Sequence, residues 1–216
     1  MALEQVTLTS ADGTVLEGEY RAARHDGQDV EIVACVLCHP HPQYGGSMHS
    51  LVIGELFREL PAHGVTCLRF NFRGVEGSGG SWDEGRGERA DVHAALDALA
   101  ARVPAERALV LAGWSFGADM ALSTDDPRVR AWLAIAPPLY YAADPDAVGR
   151  DPRPKHLVLA ERDQVRAPDD LRAATSGWSA TTVEVVPGAD HFFVGRTDRV
   201  VTAARDFVAR LVESET

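Results

Sequence analysis

No stretch of this 216-residue chain approaches the roughly 20 consecutive apolar residues that a membrane-spanning helix requires. The first residues, Met1-Ala2-Leu3-Glu4-Gln5, lack the basic segment and apolar core of a secretory signal, so a cytoplasmic protein without membrane contact is expected. Positive charge is also short: 21 Lys and Arg stand against 32 Asp and Glu, a net charge of −11. That balance argues against nucleic acid or an anionic membrane as partner. No Pro/Ser-rich linker and no abrupt change in composition divides the chain, and one domain spanning 1–216 is expected. Cysteine is scarce, with three residues, an odd number that suits a reducing compartment better than a disulfide framework. Cys35 and Cys38 form a C-x-x-C, but they lie in an apolar run that reads as a strand. Alternation would send them to opposite faces, against a redox pair or a metal site.

What the chain does contain is an alternation of short β-type runs with helical stripes. Gln5 to Thr9 and Val15 to Tyr20, joined at Ala11-Asp12-Gly13, read as two antiparallel edge strands. Further strands are expected at Glu31–Cys38, Val65–Phe70, Ala108–Ala112, Val129–Ala136, His156–Ala160 and Thr181–Val186. Between them, a helix from about Ser47 to His63 carries Ile53, Leu56, Phe57 and Leu60 on one face, with Pro61 positioned to kink its last turn. Later stripes are Val92, Ala95, Leu96, Leu99 and Val103, then Val200, Ala204, Phe207, Val208 and Leu211. A short helix is expected at Pro168–Ser176, and Pro137 to Pro154 leaves room for little more than a loop. Strands alternating with helices imply an α/β protein: a mostly parallel eight-stranded sheet with an antiparallel N-terminal strand and helices on both faces.

Function in such sheets collects at the carboxyl ends of the strands, and that rule filters the candidates. Ser115 lies in Gly113-Trp114-Ser115-Phe116-Gly117, where a strand gives way to a helical pattern; G-x-S-x-G there makes a sharp turn that holds the hydroxyl out above the sheet edge. A serine nucleophile needs a base and a carboxylate to orient that base. Asp163 and His191 follow later strands at the same edge, in the order Ser, acid, His. Glu161 and Asp190 are the competing acids; Asp190 adjoins His191, where a carboxylate-to-Nδ1 bond is awkward.

Together with Ala160-Glu161-Arg162-Asp163 and Gly188-Ala189-Asp190-His191-Phe192-Phe193, the serine pentapeptide resembles the α/β-hydrolase superfamily. Within it, the run from Cys38-His39-Pro40-His41-Pro42 to Gly45-Gly46-Ser47-Met48, with Arg69-Phe70-Asn71-Phe72-Arg73-Gly74, is similar to small lidless bacterial hydrolases related to dienelactone hydrolases. The similarity runs from about Val6 to the end. It departs at Ala160, where glycine is common, at Glu76, which interrupts a glycine-rich run, and at Ser115, which replaces the cysteine of dienelactone hydrolase itself. The resemblance implies a minimal lid or none and a serine hydrolase acting on small carboxylic esters. Thioester, lactone or amide hydrolysis and acyl transfer would use the same three residues, and a binding protein could keep the fold without the chemistry.

An acyl-transfer site also needs two N–H donors for the developing oxyanion. Phe116, directly after the serine, is one; the loop after the third strand should supply the other. Pro40 and Pro42 have no N–H, so His41 comes first there, with Gln43 and Tyr44 behind it. Tyr44, Tyr140 and Arg73 are the candidate substrate contacts, Arg73 either as a partner for a substrate carboxylate or in a salt bridge within its own loop. His39 and His41 have no third ligand nearby, so no metal is expected, and no cofactor. Gly77-Ser78-Gly79-Gly80 meets neither phosphate-loop pattern and reads as a flexible loop. The expected partner is a small-molecule acyl substrate.

Overall fold

A computed structural model describes residues 3–24 and 33–213. Eight strands form one sheet: β1 (Glu4–Thr9), β2 (Val15–Arg21), β3 (Val33–Cys38), β4 (Val65–Phe70), β5 (Leu109–Trp114), β6 (Val129–Ile135), β7 (Lys155–Ala160) and β8 (Thr181–Val186). Their order is β1-β2-β4-β3-β5-β6-β7-β8. β2 runs antiparallel to both of its neighbours, and every other pairing is parallel. Of the two strands expected to be antiparallel, β2 alone opposes the sheet direction, and β1 at the edge returns to it. The expected start of the third strand, Glu31 and Ile32, lies outside the described residues.

β3, β5 and β7 are buried along their whole length, which is why they read as near-continuous apolar runs rather than alternating ones. Alternation still sorts their side chains. Ala34, Val36 and Cys38 join the core under α2 (Arg86–Ala100) and α3 (Phe116–Leu122), whereas Val33, Cys35 and Leu37 join the core under α1 (Leu51–Glu59) and α6 (Thr197–Glu213). Cys35 and Cys38 therefore face opposite layers. Both thiols are buried, which pushes Cys35 up to about 12 and Cys38 well above its ordinary value. Among the described residues no helix is long and apolar enough to cross a membrane.

Two helix expectations need correction. The α-helical ladder begins at Leu51, not Ser47, because Ser47 and Ser50 close a turn on each other: the Ser50 N–H donates to the Ser47 carbonyl and the Ser47 N–H to the Ser50 hydroxyl. It ends at Glu59, and Leu60–His63 continues as a 3-10 turn, since Pro61 has no N–H to extend the ladder; Gly64 at φ 80° closes it. The 137–154 connection also contains a short helix, α4 (Pro145–Arg150). Asp144 caps it by accepting from the Ala147 N–H at 2.8 Å, and Pro145 begins it. α5 (Pro168–Thr175) follows β7 as expected.

The loop leaving β4 is fixed by Arg73, and this corrects its reading as a substrate contact. Its Nε and Nη2 donate to the two oxygens of Asp91 on α2, at 3.0 and 2.7 Å, and its backbone N–H donates to the same carboxylate at 3.0 Å. Nη1 reaches Asp12 and Nη2 reaches Ser10, tying the loop to the β1–β2 hairpin. Gly87 makes room on α2, because a Cβ there would run into the guanidinium. With so many bonds and almost no exposure, Arg73 has no donor directed at a ligand. Asp91→Ala leaves that buried cation without its main partner and is expected to cost about 3–5 kcal/mol in urea unfolding. Asp12→Ala, at the half-exposed end of the cluster, should move the urea midpoint far less.

Candidate active site

Ser115 joins β5 to α3 with φ 55° and ψ −123°, a backbone conformation that L-residues avoid. Packing on both sides holds it there. A Cβ on Gly113 would collide with the Gly117 carbonyl, and a Cβ on Gly117 would collide with the carbonyls of Cys38 and His39 at the end of β3. The two glycines let α3 press against the neighbouring strand. The Ser115 N–H donates to the Ile135 carbonyl at 2.8 Å, and its own carbonyl accepts from Ala118 at 2.9 Å.

His191 Nε2 lies 2.9 Å from Ser115 Oγ, and its Nδ1 lies 2.9 and 3.0 Å from the two oxygens of Asp163. A carboxylate at Nδ1 keeps the proton there and leaves Nε2 free to accept from the serine hydroxyl. Asp163 is oriented in turn by the backbone N–H groups of Val165 and Arg166, at 2.8 and 3.2 Å. The indole of Trp114 donates to the His191 carbonyl at 3.0 Å, so the residue before the serine also anchors the loop bearing the histidine. The competing acids are engaged elsewhere: Glu161 accepts from the Gly188 N–H, and Asp190 from that of Phe192. Ser115, Asp163 and His191, placed on three loops by sequence, form one hydrogen-bonded chain.

The loop after β3 meets this chain from the other side. Gln43 donates its N–H to His41 Nδ1 and Tyr44 donates its N–H to the His41 carbonyl, so both alternative oxyanion donors are occupied. Because Nδ1 accepts, His41 Nε2 carries the proton of the neutral ring and donates to the Tyr141 hydroxyl at 3.1 Å. The His41 ring packs among Tyr44, Trp82, Phe116 and Tyr141, with centroids 4.5 to 5.3 Å apart, and burial lowers its pKa. His39 has a structural role instead. Its Nε2 accepts from the Phe72 N–H and its Nδ1 donates to the Pro40 carbonyl, while complete burial pulls its pKa down to about 3.

Above Ser115 opens a cleft of about 540 Å³. Phe116 and His41 line it beside the serine; Tyr44 and Tyr140 line it further out, both largely exposed. Arg73 does not line it.

Residues 34–214 match the family model of the alpha/beta hydrolase domain. The chain belongs to this family. It is 32% identical to an uncharacterized protein of Rickettsia prowazekii (strain Madrid E) over 95% of this chain and 89% of that protein. An alpha-beta serine hydrolase homologue from Coxiella burnetii superposes with a TM-score of 0.81 at 29% identity, covering 97% of each chain. A serine hydrolase without lid from Xanthomonas campestris superposes with a TM-score of 0.86 at 28% identity, covering 98% of this chain and 95% of that one. Among the described residues this α/β hydrolase likewise has no lid: the 137–154 connection after β6 holds a loop and one six-residue helix.

Sequence reasoning missed two contributors to the site of this α/β hydrolase, Trp82 and Asp119. Trp82 packs on His41 beside Tyr141, one of the aromatics of the 137–154 connection. Asp119, the one acidic residue in α3, is fully buried, and its two oxygens accept the backbone N–H groups of Leu139 and Tyr141 at 2.8 and 2.9 Å. It therefore ties one wall of the cleft to the helix that follows Ser115. Desolvation outweighs those donors and raises its pKa from 3.8 to about 7. The native protein thus keeps a proton that the unfolded chain loses between about pH 4 and 7, and the stability tied to it is full below that window and lost as pH rises through it. Thermal midpoints of wild type and Asp119→Asn should accordingly drift apart, with wild type losing ground to the variant from pH 4 to 7.

Proposed function

We propose that this α/β serine hydrolase cleaves small carboxylic esters through an acyl-enzyme on Ser115. The observation that carries this reading is the continuous hydrogen-bonded chain from Ser115 Oγ through His191 to Asp163 at the floor of an open cleft. His191 Nε2 takes the hydroxyl proton as Oγ forms its bond to the acyl carbon, and the carbonyl π pair moves onto oxygen. The N–H groups of Phe116 and His41 receive that oxyanion; Phe116 is the first residue of α3, where no carbonyl four residues back is placed to accept its N–H. As the tetrahedral intermediate collapses, the bond to the alcohol oxygen breaks and His191 delivers its proton there. Water, deprotonated by the same nitrogen, then repeats the addition and releases the acid and the serine. Asp163 holds the ring through both steps and stabilises the imidazolium.

A fluorophosphonate should add its mass to Ser115, and Ser115→Ala should lower kcat/KM for p-nitrophenyl acetate by roughly 10⁴-fold or more. An unlabelled Ser115, or a variant that turns over as well as wild type, would overturn the reading. Tyr141→Phe removes only the hydroxyl that fixes the His41 ring. It should reduce kcat by about tenfold, short of the 10²- to 10³-fold loss of a deleted oxyanion donor, and leave KM nearly as it was.

A further inference from the structure

The walls of the cleft restrict what can be cleaved there. Among the described residues, no Arg, Lys, Asp or Glu lines it. Of two arginines nearby, Arg73 is bound away from the cleft by Asp91 and Asp12, and Arg166 lies behind the wall, where its Nη1 donates to the Pro138 carbonyl at 2.6 Å. A carboxylate entering the cleft would lose hydration and meet no Lys or Arg side chain in its lining. What the cleft offers instead is apolar. Of the nine large hydrophobic residues that stand exposed among the described residues, five line it: Tyr44, Leu51, Tyr140, Val165 and Phe192.

Phe192 has the most defined place among them. It follows the base directly, is 55% exposed, and its ring stands edge-on to His191 at 5.7 Å and to Trp114 at 6.4 Å. Its backbone N–H is fixed by Asp190, and the next residue, Phe193, turns at φ 53° into the core, so the pair presents one ring inward and one outward. In ester cleavage the departing oxygen must take its proton from His191 Nε2, which puts the alcohol portion of the substrate on the His191 side, beside the Phe192 ring. We infer, building on the serine hydrolase reading above, that the site takes uncharged esters whose flat, apolar alcohol portion packs on Phe192. Esters carrying a carboxylate on that portion are rejected.

Methyl, benzyl and 4-carboxybenzyl butanoate test this, because their alcohols are of similar acidity and intrinsic reactivity does not separate them; acid release is followed by pH-stat. Wild type should favour the benzyl ester over each of the others by about tenfold or more in kcat/KM, the scale expected for an aromatic ring brought onto an apolar surface. Phe192→Ala should bring the benzyl-to-methyl ratio close to one, with the rate of fluorophosphonate labelling at Ser115 reporting that the variant keeps its site. A 4-carboxybenzyl ester cleaved as well as the benzyl ester, or a benzyl preference that survives Phe192→Ala, would overturn the inference. Labelling of Ser115 without preference among the three esters overturns it too and leaves the hydrolase reading standing. Absence of both labelling and hydrolysis overturns the two together. The wild-type comparison requires no variant and can overturn the inference by itself.

Discussion

Close approach of backbone to backbone at Gly113 and Gly117 is the constraint on which the rest of this structure depends. α3 begins so near the end of β3 that no side chain fits between Gly117 and the carbonyls of Cys38 and His39. That contact sets how far Ser115 stands from the loop bearing His41. It also forces the serine to φ 55°, a cost of about 1–3 kcal/mol that the hydrogen bonds to Ile135 and Ala118 help to hold in place. Parallel pairing along β3-β5-β6-β7-β8 then delivers the remaining loops to the same edge.

The buried polar groups around this contact divide into two kinds. His39 is neutral, with both nitrogens bonded to backbone, and joins the end of β3 to the loop after β4. Arg73 and Asp91 remain an ion pair, joining that loop to α2 and the hairpin. Both hold segments that lack regular ladders of their own, where backbone donors and acceptors must find partners among side chains.

Much of this was legible in the sequence, for local reasons. Strand periodicity and the glycines flanking Ser115 are short-range signals, and the order of serine, acid and histidine follows from strand ends once the sheet is taken as parallel. The extent of α1 was less legible, because Ser47 and Ser50 favour a turn that a hydrophobic stripe does not register. Arg73 could not be assigned from its surroundings in the chain, since the carboxylate that binds it lies 18 residues on, at a position legible only as part of a helix. Asp119 was missed for the same reason: it acts through partners 20 or more residues away.

The link from Asp119 to the backbone of Leu139 and Tyr141 has a mechanical consequence. It makes one wall of the cleft part of the same body as the nucleophile helix, while Arg166 clasps that wall at Pro138 from the segment that carries Asp163. The wall is thus braced from two sides, by the helix that follows Ser115 and by the segment after β7, and its position is tied to both at once.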